Sequence, residues 1–341
     1  MDHNRMPPTV LRSLCCGAAT CVLLLVPLGV QAEELPAGLS GDWSLKLDSG
    51  LPAWMRVAES DGNPQVHMRL YIGPAGPYVA KLVKGRLNFE IKKKNRKKNL
   101  AQASVTRVDV GIEDGKLEGV LEKKSADGSV QRDTFTGTKV PPMPASAPDL
   151  SKVRFGHPIS LFNGKDMSGW RTYESDKQNG WSVIDGLLVN TTTKTDFSPT
   201  GAYANLRTQD EFEDFWLHIE FLVEENRNSG VYLRGMYEAQ VVDRDSRMQG
   251  IQGVGAIFGA IAPSRNAGNA GGQWQTYDLT LVDRHVTVVL NGVKVIDNQP
   301  IDKPTPGAIY TNAAAPGPIY LQGDHTKVSY RDIYLAPVLE D

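Results

Sequence analysis

The segment Phe215-Trp-Leu-His-Ile-Glu-Phe221 alternates apolar and polar residues without a break. A repeat of two puts Phe215, Leu217, Ile219 and Phe221 on one face of a strand and Trp216, His218 and Glu220 on the other. The same alternation recurs in Trp43-Ser-Leu-Lys-Leu47, Gln65-Val-His-Met-Arg-Leu-Tyr-Ile72, Arg86-Leu-Asn-Phe-Glu-Ile91 and Lys116-Leu-Glu-Gly-Val-Leu121. Turn signals fall between these runs, at Asp61-Gly62, Glu113-Asp-Gly115 and Asp127-Gly128. Further on, Trp181–Val189 reads as a hairpin about Asp185-Gly186, and Val286–Ile296 as another about Asn291-Gly292. No helix-period stretch exceeds a turn or two. The chain is therefore expected to be all-β, and its 33 glycines and 21 prolines suit many short strands joined by turns.

One boundary stands out. Val140-Pro-Pro-Met-Pro-Ala-Ser-Ala-Pro148 is rich in proline and small residues, and reads as a stiff linker over 140–150. It divides a smaller antiparallel β-barrel or sandwich at 33–139 from a larger β-rich module at 151–341. The first module carries no cluster of catalytic type, so its role is left unassigned. Its basic tract, Lys92-Lys-Lys-Asn-Arg-Lys-Lys98, reads as a solvated hairpin tip.

All three cysteines, Cys15, Cys16 and Cys21, precede residue 22. Arg5 and Arg12 lie ahead of the apolar run Cys21–Val30, and Val30-Gln31-Ala32 fits a small-x-small cleavage site. Residues 1–32 are expected to be a secretory signal peptide, leaving a soluble, exported chain that starts at Glu33 in the periplasm or outside the cell. Without cysteine, that chain has no disulfide, thiolate nucleophile or Cys-ligated metal. No later segment is long and apolar enough for a membrane span. A formal net charge of −2 offers no basic field for nucleic acid. Gly-rich phosphate loops, HExxH and GxSxG are all absent from the sequence.

Chemistry-bearing residues concentrate in the second module. Trp216, His218 and Glu220 share one strand face. Tyr232 and Arg234 share another, as do Glu238 and Gln240, with Asp243 reaching theirs through a bulge or strand end. If these strands are neighbours, carboxylate, guanidinium, amide and aromatic groups converge, as a sugar site requires. The same pattern also fits a solvated outer face with cross-strand pairs such as Glu238 with Arg234.

Eight motifs in order add a resemblance. Leu161-Phe-Asn-Gly-Lys-Asp-Met-Ser-Gly-Trp170 opens the series, followed by Trp181-Ser-Val-Ile-Asp-Gly-Leu-Leu188, Leu206-Arg-Thr208 and Phe212-Glu-Asp-Phe215. Asn228-Ser-Gly-Val-Tyr-Leu-Arg234, Tyr237-Glu-Ala-Gln240, Leu290-Asn-Gly-Val293 and Leu321-Gln-Gly-Asp-His325 with Tyr330-Arg-Asp-Ile333 complete it. Over about 155–337 the chain resembles the 3-keto-disaccharide hydrolase, or 3-keto-glucoside 1,2-lyase/hydratase, family. Gln275 and Asp332 stand where the family usually has Asn, and the small-residue loop 262–272 is this chain's own.

The resemblance implies a concanavalin A-like jelly-roll sandwich and an enzyme acting on 3-keto-glycosides. A ketone at C3 acidifies the C2 proton, so a base can remove it while the glycosidic oxygen leaves C1; water then adds back, for a net hydrolysis. By residue type and motif, Glu238 and His325 are the proton carriers and Arg234 holds the enolate oxygen. Gln240, Asn228 and Gln322 orient hydroxyls, and Tyr232, Tyr237, Trp216 and Trp274 bind sugar faces. A divalent cation held by Glu238, Asp243, Asp324 or His325 is the alternative to the arginine, and no other cofactor is implied. A separate dehydrogenase would supply the 3-keto group. The same residues also suit a non-catalytic carbohydrate-binding protein. A retaining glycosidase fits less well, because no second carboxyl partner for Glu238 is evident.

Overall fold

The structure, a computed structural model, describes residues 34–71, 73, 75–93, 104–125, 127–192 and 202–339. The expected signal peptide with all three cysteines, and most of the basic tract 92–98, lie outside the described residues. Among the described residues the protein is built from strands, with one short 3₁₀ turn at Gly250–Gln252.

Nine strands form the first module: β1 (Gly41–Leu47), β2 (Pro52–Ser60), β3 (Asn63–Leu70), β4 (Tyr78–Val79), β5 (Lys81–Val83), β6 (Arg86–Lys93), β7 (Ser104–Glu113), β8 (Lys116–Lys124) and β9 (Val130–Val140). They make one antiparallel sheet in the order β4-β3-β2-β1-β9-β8-β7-β6-β5. Its two end strands, β4 and β5, are consecutive in the chain. The Tyr78 ring of β4 stacks on Phe89 of β6 at 5.9 Å, so the sheet curls almost to a closed barrel. The alternating inner residues fill it, with Trp43, Leu45, Met55, Val66, Met68, Leu87, Val110 and Phe135 all buried. Gly119 leaves room for Phe135, whose ring would stand 2.2 Å from any Cβ there.

The second module contains β10 (Ile159–Ser160), β11 (Trp170–Thr172), β12 (Trp181–Ile184), β13 (Leu187–Asn190), β14 (Leu206–Thr208), β15 (Phe215–Val223), β16 (Ser229–Leu233) and β17 (Tyr237–Val241). It continues with β18 (Trp274–Val282), β19 (His285–Leu290), β20 (Val293–Pro300), β21 (Tyr320–Leu321) and β22 (Val328–Pro337). One sheet runs β12-β13-β22-β15-β18-β19-β20, with β10 also on β22; the other runs β11-β14-β21-β16-β17. The chain passes back and forth between two antiparallel sheets, as in a jelly-roll sandwich. Between them lies one core, to which β15 gives Phe215, Leu217, Ile219 and Phe221, and the facing sheet gives Val231, Leu233, Tyr237 and Ala239.

The two sheets differ in one respect that matters for the site. Strand β15 alternates buried and half-buried residues, whereas β16 and β17 are buried on both faces. The outer face of the five-stranded sheet is therefore covered. Part of the cover is the segment 301–311, and the first module packs on that segment. Trp54 points out of the barrel yet is only 2% exposed, since it lies against Pro304, Ala308 and Thr311. Arg56 forks onto Asp42 of its own module and reaches Asp302 Oδ2 at 2.6 Å. Ser44 and Thr311 share a hydroxyl hydrogen bond of 2.8 Å, and Gly307 N–H donates to the Tyr71 carbonyl at 2.8 Å. In the stretch between modules, the Pro141 and Pro148 carbonyls accept from Arg284 and Asn298. Among the described residues no helix is long and apolar enough to cross a membrane.

Candidate active site

Period two places Glu238 and Gln240 of β17 on the outer face of the five-stranded sheet, with Tyr237, Ala239 and Val241 facing the core. The antiparallel register sets Tyr232 opposite Glu238 and Gly230 opposite Gln240. Gly230 is the reason Glu238 fits. A Cβ on residue 230 would lie 2.4 Å from the Glu238 carboxylate oxygen, so the side chain folds across a space that only glycine leaves open. From above, Thr305 Oγ1 accepts the Glu238 backbone N–H at 3.0 Å, and the Tyr232 hydroxyl donates to the Pro306 carbonyl at 2.8 Å. Tyr320 of β21, next to Tyr232 across the strand pair, meets its ring edge-on at 4.7 Å.

Glu238 is 3% exposed. Burial penalises its charged form and pushes the carboxyl up to about 8; a hydrogen-bond contribution from Tyr232 opposes this, and the nearby Asp324 charge reinforces it. Glu238 thus keeps its proton through neutral pH. The phenols of Tyr232 and Tyr320 are likewise held well above their ordinary range, first by burial.

The residues after β21 close the site from the other side. Gln322 N–H donates to the Gly230 carbonyl, which aligns Gln322 with the Glu238 face. Gly323 N–H donates to Asn205 Oδ1 at 2.7 Å, and Asn190 Nδ2 donates to the Gly323 carbonyl at 2.8 Å. Thr326 Oγ1 accepts the Asn228 N–H and donates to the Asn228 carbonyl. Position 323 must be glycine, because a Cβ there would stand 2.5 Å from both the Ala204 carbonyl and the Trp181 indole nitrogen. Pinned in this way, the loop presents Asp324 and His325, and Asp324 Oδ1 lies 2.6 Å from His325 Nδ1. If Nδ1 carries the proton, Asp324 orients the ring and Nε2 is left basic. Asn205 is itself fixed by both carboxylate oxygens of Glu174.

Two buried amide oxygens on this face, Gln240 Oε1 and Gln322 Oε1, have no hydrogen-bond partner. Gln240 Nε2 donates to Asn228 Oδ1 at 3.3 Å. Unpaired buried polar atoms are costly, so their clustering beside Glu238 marks where a polar ligand would be accommodated.

The structure therefore brings Glu238, Gln240, Asn228, Tyr232, Gln322 and Asp324 onto one face, with His325 paired to Asp324, and places five other expected residues elsewhere. Arg234 follows the end of β16 in a left-handed conformation (φ 54°), which breaks the alternation. Its guanidinium serves the Ala313 and Ala315 carbonyls rather than an enolate. Tyr237 points into the core between the sheets and has no face for a sugar. Trp216 and Trp274 belong to β15 and β18 of the opposite sheet, on its outer side; Trp274 lies under the Arg331 guanidinium at 4.0 Å. Strands β15 and β16 are consecutive but not neighbours, because residues 224–228 carry the chain from one sheet to the other. Asp243 is a turn residue whose oxygens accept the Asn226 and Asp245 N–H groups. Among the described residues no three side chains of metal-ligating type converge. His218 pairs with Asp278 at 2.8 Å on the outer face of the other sheet.

Sequence reasoning passed over Tyr320, Thr305, Asn205, Glu174 and Tyr71. Only Tyr320 carried a signal: it stands two positions before Gln322, on the same face.

A family model for 3-keto-alpha-glucoside-1,2-lyase-like domains matches residues 157–336, just over half of the chain. The chain belongs to this family. Its carbohydrate-active character follows from that membership, and the match takes in every residue gathered at the site. No curated protein matches the chain. Among solved structures, a proposed glycosyl hydrolase from Parabacteroides distasonis is 21% identical, with a TM-score of 0.44, over 54% of this chain and 94% of that one. A second from the same organism is 22% identical, with a TM-score of 0.39, over 53% and 98%. A non-specific endo-β-1,3(4)-glucanase of family GH16 is 12% identical, with a TM-score of 0.32, over 57% and 93%.

Proposed function

We propose that this family member is an exported enzyme that cleaves 3-keto-glycosides by elimination across C1–C2 followed by hydration. The observation that carries the reading is a buried, protonated carboxyl at Glu238 within the field of Asp324, the residue whose carboxylate braces the His325 imidazole. His325 takes the C2 proton, the C1–O bond breaks, and Glu238 gives its proton to the departing glycosidic oxygen. Water then adds to C1 of the enone; Glu238 recovers a proton from that water and His325 returns one to C2. Both groups end as they began, and the net reaction is hydrolysis. The unpaired oxygens of Gln240 and Gln322 suit sugar hydroxyls. The 3-keto group comes from a separate dehydrogenase acting earlier.

Incubation of the purified protein with a 3-keto-glucoside, following enone absorbance and aglycone release, tests the reading directly. Glu238→Gln should lose about 10²–10⁴-fold on a sugar leaving group but far less on a nitrophenolate, which departs without protonation. His325→Asn should lose on both. For the wild type, kcat/KM on a sugar leaving group should fall as pH rises through about 8, where free Glu238 gives up its proton. Binding without turnover of any 3-keto-glycoside would instead leave a carbohydrate-binding protein.

A further inference from the structure

The family match begins at residue 157, and the first module lies outside it. One residue of that module nevertheless stands in the wall of the site. Tyr71 follows β3 directly, in a left-handed conformation (φ 36°). Its carbonyl is held by Gly307 N–H and its own N–H reaches the Pro52 carbonyl. Its ring packs with Tyr232, Tyr320 and Ile309. The phenol sits beside that of Tyr320, within the field of the Asp324 and Glu174 carboxylates.

From the mechanism alone, nothing requires a residue here. Tyr71 is half-buried, as is Tyr173, whose ring meets Tyr320 edge-on at 6.3 Å. Half-buried phenols packed against Tyr232 and Tyr320, the aromatic neighbours of Glu238, and lying in the field of the Glu174 and Asp324 carboxylates, offer what a pyranose ring takes: an apolar ring face and hydrogen bonds for its hydroxyls. In the reaction proposed above, the keto-sugar lies beside Glu238. The part of the substrate nearest Tyr71 is then the group leaving from C1.

We infer that Tyr71, supplied by the first module, is a specificity-determining residue that contacts the leaving-group sugar of a 3-keto-disaccharide. The first module is then a component of the active site and not a passive appendage. This rests on the reaction proposed above, so its test carries a readout that does not depend on turnover.

Full-length Tyr71→Ala and Tyr71→Phe are compared with wild type on a 3-keto-disaccharide and on methyl 3-keto-glucoside. The ratio of kcat/KM values, disaccharide over methyl glycoside, should fall about tenfold or more in Tyr71→Ala and less in Tyr71→Phe, which keeps the ring. A merely structural role would lower both values together and leave the ratio unmoved, overturning the inference. In parallel, the unoxidised disaccharide is titrated by calorimetry. Wild type should bind it, and Tyr71→Ala should bind about tenfold more weakly. Equal affinities, or no binding by wild type, would overturn the inference. If neither keto-substrate is turned over, the proposed reaction fails, while the titration still decides on Tyr71.

Discussion

Glu238 concentrates most of what is unusual about this protein at the scale of one residue. A carboxyl near 4.5 in the unfolded chain is pushed up to about 8 by burial in the folded one. Below pH 4.5 both states hold the proton. Between 4.5 and about 8 the unfolded chain releases it and the folded chain does not, so folding stability falls as pH rises; above about 8 the loss is complete. Urea unfolding across this range should therefore show a decline attributable to Glu238, and Glu238→Gln should remove it. An identical decline in the variant would mean that another group carries the burden. Some residues of the candidate site were legible in the sequence because their motifs name them, as with Gln240, Gln322 and His325, whereas Asp324 was read only as a possible cation ligand. Arg234 and Tyr237 were misread for a definite reason. Alternation says which residues share a face, but it does not say which face looks inward, nor where a left-handed residue ends the count.

Strands and loops show the same limit one level up. The alternation of Phe215–Phe221 correctly marked a half-buried strand, yet β15 and β16, adjacent in sequence, fall in opposite sheets. No short pattern records that crossing, and Trp216 and Trp274 went to the wrong side with it. The segment 301–311 has no secondary structure and no motif, yet it supplies Thr305 and Pro306 to the lid over Glu238. Arg56 holds that segment through Asp302, with both side chains partly exposed, which weakens the pair by solvent screening. Arg56→Ala should cost about 1–2 kcal/mol in denaturant unfolding, because a forked, charge-assisted contact is lost. It should also raise KM more than it lowers kcat, since the segment positions the pocket without touching the reacting atoms. Asp302→Ala should give the same signature, and the double variant should cost less than the sum of the two.

As a whole molecule, the described chain from Glu34 onward is one compact unit with two large hydrophobic cores and a small third cluster at Tyr232, Ile309 and Tyr320. Composition and period forecast two β structures on either side of a Pro-rich stretch. They could not forecast that the outer face of the first would be spent on the second, since Trp54 and Arg56 look like ordinary strand residues until their partners at 302–311 are known. We propose that each module folds on its own core. Cleavage at a protease site engineered into 143–147, where most residues are exposed, should yield two fragments that still co-elute on size exclusion and retain turnover. Fragments that separate would mean that the contacts at Trp54, Arg56 and Ser44 are too weak to hold the modules without the linker.

If Tyr71 contacts the substrate as inferred, its position in the field of Asp324 has a thermodynamic corollary. A molecule lodged between them would grip both halves at once, and linkage then requires it to strengthen their mutual attachment by as much as that attachment strengthens its own binding. For the nicked protein, the dissociation constant of the two fragments becomes a meter of occupancy: sugar should draw them together in proportion to its concentration, with no chemistry needed. A protein assembled in this way uses its substrate as an adhesive.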